Sequence, residues 1–160
     1  MIRLANAADA VGIAQVHVQS WYETYAQIVN PSILEALSVE GRTQLWQQVL
    51  LSPHHRVWVC TEQENIVGFL DLDLQVDQDD AEIKALYLLQ KYQAQGLGKQ
   101  LMHMAFEQCR QQHCSKLRLE VFERNKSRYF YEYLGAIQYG EEDASDYGAD
   151  LKIFHYYWQL

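Results

Sequence analysis

The stretch Gln93-Ala94-Gln95-Gly96-Leu97-Gly98-Lys99 has the makings of a diphosphate-binding turn. An apolar run from Glu82 to Leu89 leads into it. A helical pattern with Leu97, Leu101, Met104 and Ala105 apolar leads out. The spacing predicts a strand, a tight turn and a helix from Gly96 to about His113. The first amides of a helix have no partner within it, and the macrodipole puts partial positive charge there. Gly96 and Gly98 leave the backbone open to a phosphate, and Lys99 adds charge. Two other phosphate signatures are disfavoured. A dinucleotide turn needs a third glycine where Leu101 stands, and a Walker A loop needs Gly-Lys-Ser/Thr. A ligand-free, glycine-eased turn would use the same residues, so this segment alone leaves both readings open.

Charge adds to the picture. The formal net charge is -8, yet residues 84–128 hold nine bases and three acids. A basic segment in an acidic chain suits a confined anionic ligand, or is an ordinary solvated face. The acidic balance argues against a general nucleic-acid binder. Residues 62–82 carry eight acids and no Lys or Arg. Cys60, Cys109 and Cys114 lack metal-ligand spacing, and their odd number suits a reducing, cytoplasmic setting. Cys109 and Cys114 have no His/Asp constellation that would make either a nucleophile. His54 and His55 adjoin, and His103 and His113 have no carboxylates at ligand spacing, so no metal is expected.

The elements that must position these groups follow from periodicity. With 160 residues, 49% of them hydrophobic, the chain is expected to form a single domain over 1–160. No apolar run approaches the roughly 20 residues of a membrane span, and the first residues lack a signal-peptide core. Residues 2–5 suggest a short strand. Asn6 and Asp9 form a capping pair before a helix to about Tyr25. Pro31 opens a second helix, and Leu45, Trp46, Val49 and Leu50 suggest a further helical piece. Strands are expected at Val57–Cys60, Ile66–Val76, Glu82–Leu89, Lys116–Phe122, Ala136–Tyr139 and Leu151–Trp158. In the second of these, Leu70, Leu72, Leu74 and Val76 alternate with Asp71, Asp73 and Gln75, the pattern of a strand with one wet face. A helix at Lys126–Leu134 stops at Gly135. The order, β-α-α-β-β-β-α-β-α-β-β, is a mixed α/β domain, antiparallel at first with a βαβ unit later.

Two separated blocks resemble the GCN5-related N-acetyltransferases, particularly small bacterial members. Gln93-x-x-Gly96-x-Gly98 is similar to that family's acyl-coenzyme A signature, and Glu82–Leu88 resembles its fourth strand. Asn125-Lys126-Ser127-Arg128-Tyr129-Phe130-Tyr131-Glu132-Tyr133-Leu134-Gly135 is similar to its second motif. Residues 16–31 are similar to the small members too. The chain departs from the pattern at Gln90 (often proline), Ala94 (often glycine), Lys99 (often small) and Ala136 (often phenylalanine).

The resemblance implies a fold whose two central strands splay to admit acetyl-CoA as acetyl donor. Backbone of Leu86, Tyr87 and Leu88 would pair with the pantetheine arm, and Leu88 N–H would polarise the thioester carbonyl. Amides of Gln93, Ala94, Gln95, Gly96, Leu97, Gly98 and Lys99 would hold the pyrophosphate, and Asn125 would contact the pantetheine region. Direct attack by an amine is implied. Glu82 is the expected base, with Asp71 and Asp73 as further candidates, and Tyr131 is the expected acid toward the thiolate. Trp21, Tyr22, Tyr25 and Asp71 are expected at the acceptor. An acidic, aromatic wall suits a small cationic amine such as a polyamine or amino sugar. Protein or peptide amines, a non-catalytic acetyl-CoA sensor and a nucleotide-binding module remain alternatives. The strand Phe154–Trp158 would either pair across a homodimer or pack on its own core.

Overall fold

A computed structural model describes residues 1–160. Seven strands form one sheet in the order β1-β2-β3-β4-β5-β7-β6. They are β1 (Ile2–Leu4), β2 (His55–Glu62), β3 (Asn65–Asp77), β4 (Asp80–Leu88), β5 (Lys116–Phe122), β6 (Ile137–Asp143) and β7 (Lys152–Gln159). Five helices pack around it: α1 (Ala10–Tyr25), α2 (Pro31–Glu35), α3 (Val39–Leu51), α4 (Leu97–Gln111) and α5 (Ser127–Tyr133). Only β4 and β5 run parallel, joined by α4 as the βαβ unit. No helix is long and apolar enough to cross a membrane.

Local chemistry sets the helix starts. Asn6 accepts a hydrogen bond from Ala8 N–H at 2.9 Å, and Asp9 accepts from Asn6 N–H at 2.8 Å, a reciprocal capping box. It caps a short 3-10 turn that runs into α1. Arg3 pairs with both Asp9 oxygens and holds that carboxyl below its ordinary range. Three helices, not two, separate β1 from β2. Ser38 accepts from Gly41 N–H at 3.0 Å and starts α3 afresh. The first two turns of α3 carry a single apolar residue, Val39, before Leu45, so only its later residues announce it by apolar spacing.

Each sheet face is covered by different helices. On one, Ile13, Ala14 and Val16 of α1 and Trp46 of α3 pack on Val57, Val59 and Phe69. On the other, Leu101, Met102, Ala105 and Cys109 of α4 pack on Leu70, Leu72, Ile83, Leu117 and Leu119. A third cluster, with Tyr25, Leu34, Phe122 and Leu151, closes the end beside α2.

Two expectations about β3 are corrected, and for β7 the second of the two alternatives describes its strand pairing. Residues 67–72 of β3 are buried on both faces, because α1 covers the side read as wet. Asp71 is 2% exposed, and His55 Nδ1 lies 2.7 Å from its Oδ1, as a buried carboxylate requires. β7 is hydrogen-bonded to β5 on one side and β6 on the other, so it has no free edge to offer a second chain.

The decisive feature is in β4. Asp71 pairs with Ala85 but Leu72 pairs with Ile83, so Lys84 is an extra residue, a β-bulge. Before it, Ala81 and Ile83 face α4; after it, Leu86 and Leu88 do, while Ala85 and Tyr87 face α1. Pairing of β4 with β5 runs from Asp80–Lys116 to Ile83–Leu119 and stops at the same point. The bulge bends β4 away, and the two strands part.

Candidate active site

A cavity of about 420 Å³ occupies the gap where β4 and β5 part. One wall is the free edge of β4. Leu86, Tyr87 and Leu88 pair with Leu70, Phe69 and Gly68 on their other side only, so an extended ligand could add to this edge as a strand would. Gln93 Nε2 donates to Leu88 O at 2.9 Å and braces the strand's end against the following turn.

The turn supplies the second wall. Ala94 and Gly96 have φ of 59° and 84°, in the left-handed region. This curls the chain so that α4 begins at Leu97 with no side chain capping it. A Cβ on Gly96 would meet no atom within 4 Å. Backbone conformation, not crowding, therefore asks for glycine, and the space outside it is open to a ligand. Lys84, Lys99 and Lys126, all from the basic segment, line the cavity. Gln93, Ala94, Gly96 and Gly98 line it as well. Gln95 instead donates to Lys91 O at 3.1 Å, and Leu97 packs into the core.

The opposite end is aromatic. Tyr131 on α5 is buried, with its ring edge-on to Trp158 at 6.2 Å. Burial pushes its phenol well above the usual tyrosine value, so it stays protonated. Asn125 Nδ2 donates to Tyr25 Oη at 2.9 Å while Asn125 Oδ1 accepts from Ser127 N–H, so one side chain starts α5 and ties it to α1. Trp21 Nε1 donates to Tyr87 Oη at 3.0 Å. His17 stacks on the Tyr87 ring at 5.4 Å. Desolvation raises the Tyr25 and Tyr87 phenols too.

Residues 15–136 match the family described as Acetyltransferase (GNAT) family. The chain belongs to that family. It is 30% identical over 155 residues to YuaI of Bacillus subtilis, an uncharacterized N-acetyltransferase, covering 94% of this chain and 88% of that protein. The PaiA N-acetyltransferase of Thermoplasma acidophilum, solved with coenzyme A, shares the fold at TM-score 0.86 and 21% identity, covering 100% of this chain and 98% of that one. YncA of Salmonella typhimurium, a putative acetyltransferase solved with acetyl-CoA, does so at TM-score 0.76 and 19% identity, over 100% and 93%.

Against this GNAT frame the expected site residues divide. Leu86, Tyr87, Leu88, Asn125, Tyr131 and Tyr25 line the cavity. Trp21 lies behind, holding Tyr87, and Tyr22 donates to Leu34 O at 2.9 Å, fastening α1 to α2. Asp71 is occupied by His55. Glu82 lies in the paired part of β4, opposite Asp73 and Arg118, and 3.3 Å from Lys84 Nζ; it does not line the cavity. The thiols are poor nucleophiles: burial pushes Cys60 up to about 11 and Cys109 up to about 12.

Ser20, Thr24 and Glu120 line the cavity and escaped notice in the sequence. Ser20 on α1 is 2% exposed, and its hydroxyl has no hydrogen-bond partner. Its position on the buried stripe of α1, with Ile13, Val16 and His17, was the available signal. Glu120 follows Leu119, the last β5 residue paired with β4, and it lines the cavity mouth. Its side chain is 49% exposed, and partial desolvation at the mouth, then the charge of Glu82, raises its carboxyl above the ordinary value.

Proposed function

We propose that this GNAT acetyltransferase moves an acetyl group from acetyl-CoA to a primary amine of a small cationic molecule, by direct attack in a ternary complex. One observation carries the reading. The gap between β4 and β5 runs without a break from the uncapped start of α4 to Tyr131. A diphosphate at one end and a thioester at the other match that span. The amides from Gln93 to Lys99 receive the diphosphate, with Lys99 and Lys126 beside it. The β4 edge pairs with the pantetheine amides, and Leu88 N–H polarises the thioester carbonyl. Tyr131 is proton donor to the leaving sulfur. Its raised pKa keeps the phenol protonated at neutral pH, so a proton is in place to be donated as the C–S bond breaks.

The acceptor enters from the open sheet face beside α1. That face carries Asp73, Glu82, Glu120 and Glu142 against Lys84 and Arg118, an acidic excess that favours ammonium groups over anions. Calorimetry with acetyl-CoA, then thiol release across cationic, neutral and anionic amines, tests the reading. Saturable binding and faster transfer to cationic amines are expected. No binding of acetyl-CoA to folded protein overturns the donor; a preference for neutral or anionic acceptors overturns the acceptor class.

A further inference from the structure

We propose that Glu120, and not Glu82, takes the proton from the incoming ammonium, and that His155 and Glu142 carry it out to solvent. The inference rests on the acetyl-transfer reading above and assigns a group to its least defined step.

Position favours Glu120. Pairing between β4 and β5 ends at Ile83–Leu119, so Glu120 is the first β5 residue inside the separation, and it lines the cavity. Glu82 lies below that point, in the hydrogen-bonded part of the sheet. It already has a counter-charge in Lys84, at 3.3 Å.

Glu120 also has an outlet. His155 on β7 stands directly opposite it. The imidazole spans two carboxylates: Nδ1 lies 3.5 Å from Glu120 Oε1, and Nε2 lies 3.3 Å from Glu142 Oε1. A ring with one nitrogen toward each can accept a proton on the first and release one from the second. Glu120 and Glu142 are each about half exposed; an acceptor bound at the cavity mouth covers Glu120 and leaves Glu142, on the outermost strand β6, as the group that meets water. The groups that face Glu120 are Glu82 and Lys84 from β4, Glu142 and Tyr139 from β6, and His155 from β7. At this half-exposed position, partial desolvation and the two glutamates raise its carboxyl above the ordinary value, while His155 and Lys84 pull the other way. A carboxylate so placed accepts a proton better than an isolated one.

The step balances. Glu120 removes one proton from R–NH3+, and the neutral amine forms the C–N bond at the thioester carbonyl carbon. As the C–S bond breaks, Tyr131 gives its proton to sulfur, and the second ammonium proton restores Tyr131. One proton per turnover remains, on Glu120. His155 and Glu142 pass it to water.

The test compares pH profiles of kcat for wild type, Glu120→Gln, Glu82→Gln and His155→Gln, in EDTA, with the fastest alkylamine of a panel that includes 1,4-diaminobutane. Circular dichroism and the acetyl-CoA Kd establish that each variant folds and binds donor. Glu120→Gln is expected to lower kcat about 100-fold at pH 7 with an unchanged Kd, the loss shrinking as pH nears the amine's own pKa of about 10. Glu82→Gln is expected to lose less. His155→Gln is expected to lose several-fold in dilute buffer and to recover as buffer base is raised, because added base replaces a relay but not a structural contact. A larger loss in Glu82→Gln than in Glu120→Gln overturns the assignment and leaves acetyl transfer standing. A loss in His155→Gln that buffer does not relieve, or no loss at all, overturns the relay. Wild type that binds no acetyl-CoA, or acetylates no amine, overturns both readings together.

Discussion

Gly68 on β3 lies directly opposite Leu88 on β4, and a Cβ on Gly68 would fall 2.3 Å from Leu88 Cδ2 and 2.9 Å from Tyr87 O. The second of these is backbone of the free edge itself. Gly68→Ala must therefore push the edge toward the cavity or misplace Leu88. Overpacking of this kind costs about 1–3 kcal/mol. The expected result is a lower Tm and a raised acetyl-CoA KM together, read by thermal melts and steady-state kinetics. A lower Tm with an unchanged KM would mean that the strain is relieved away from the edge.

The turn makes two opposite predictions, at positions two residues apart. Ala94 holds φ of 59°, a conformation that costs a residue with a Cβ roughly 1 kcal/mol. Ala94→Gly is expected to stabilise the fold by up to about that amount, less the entropy glycine adds to the unfolded chain. Gly96 holds φ of 84°, so Gly96→Ala is expected to destabilise by roughly 1 kcal/mol and to weaken acetyl-CoA binding about tenfold, since the methyl would project into open space beside the turn amides. Urea melts and calorimetry on both variants check this. Equal acetyl-CoA affinity in Gly96→Ala and wild type would remove the diphosphate from the turn.

Tyr131→Phe separates the acid from the fold. The ring packs edge-on to Trp158, and that contact survives loss of the hydroxyl. The expected outcome is a kcat lower by about 10²–10⁴-fold with the acetyl-CoA Kd nearly unchanged. Full activity in Tyr131→Phe would leave protonation of the sulfur to water or to another group.

What could be read in the sequence was whatever depends on near neighbours. Gly96, Gly98 and the apolar spacing after Leu97 announce a turn opening a helix, because both features arise within a few residues. The alternation in β3 gave the strand but not its surroundings. A face covered by α1 and a face open to water both leave Asp71 and Asp73 between leucines, and only the packing of α1 and His55 shows Asp71 buried. The choice between Glu82 and Glu120 was similarly hidden. Both alternate with apolar residues on neighbouring strands, and which one meets the cavity depends on where β4–β5 pairing stops. The bulge at Lys84 decides that through long-range register.

His17 provides a test of the packing behind the site. Burial, aided by the charge of Arg42, lowers its pKa to about 4, and its Nδ1 accepts from Trp46 Nε1 at 3.1 Å while its ring stacks on Tyr87. An imidazole kept neutral in the folded state takes up a proton more readily once unfolded. Its stabilising effect is thus complete above the unfolded value of about 6.5 and declines as pH falls through the window down to about 4. The full loss amounts to roughly 3 kcal/mol. Asp9, held low by Arg3, gives way only at lower pH, so the two effects separate. Urea melts at pH 4.5 and 7.5 should show wild type losing more stability on acidification than His17→Gln. Parallel losses in the two proteins would mean that His17 is charged in the folded state, and that Trp46 does not hold it as an acceptor against Tyr87.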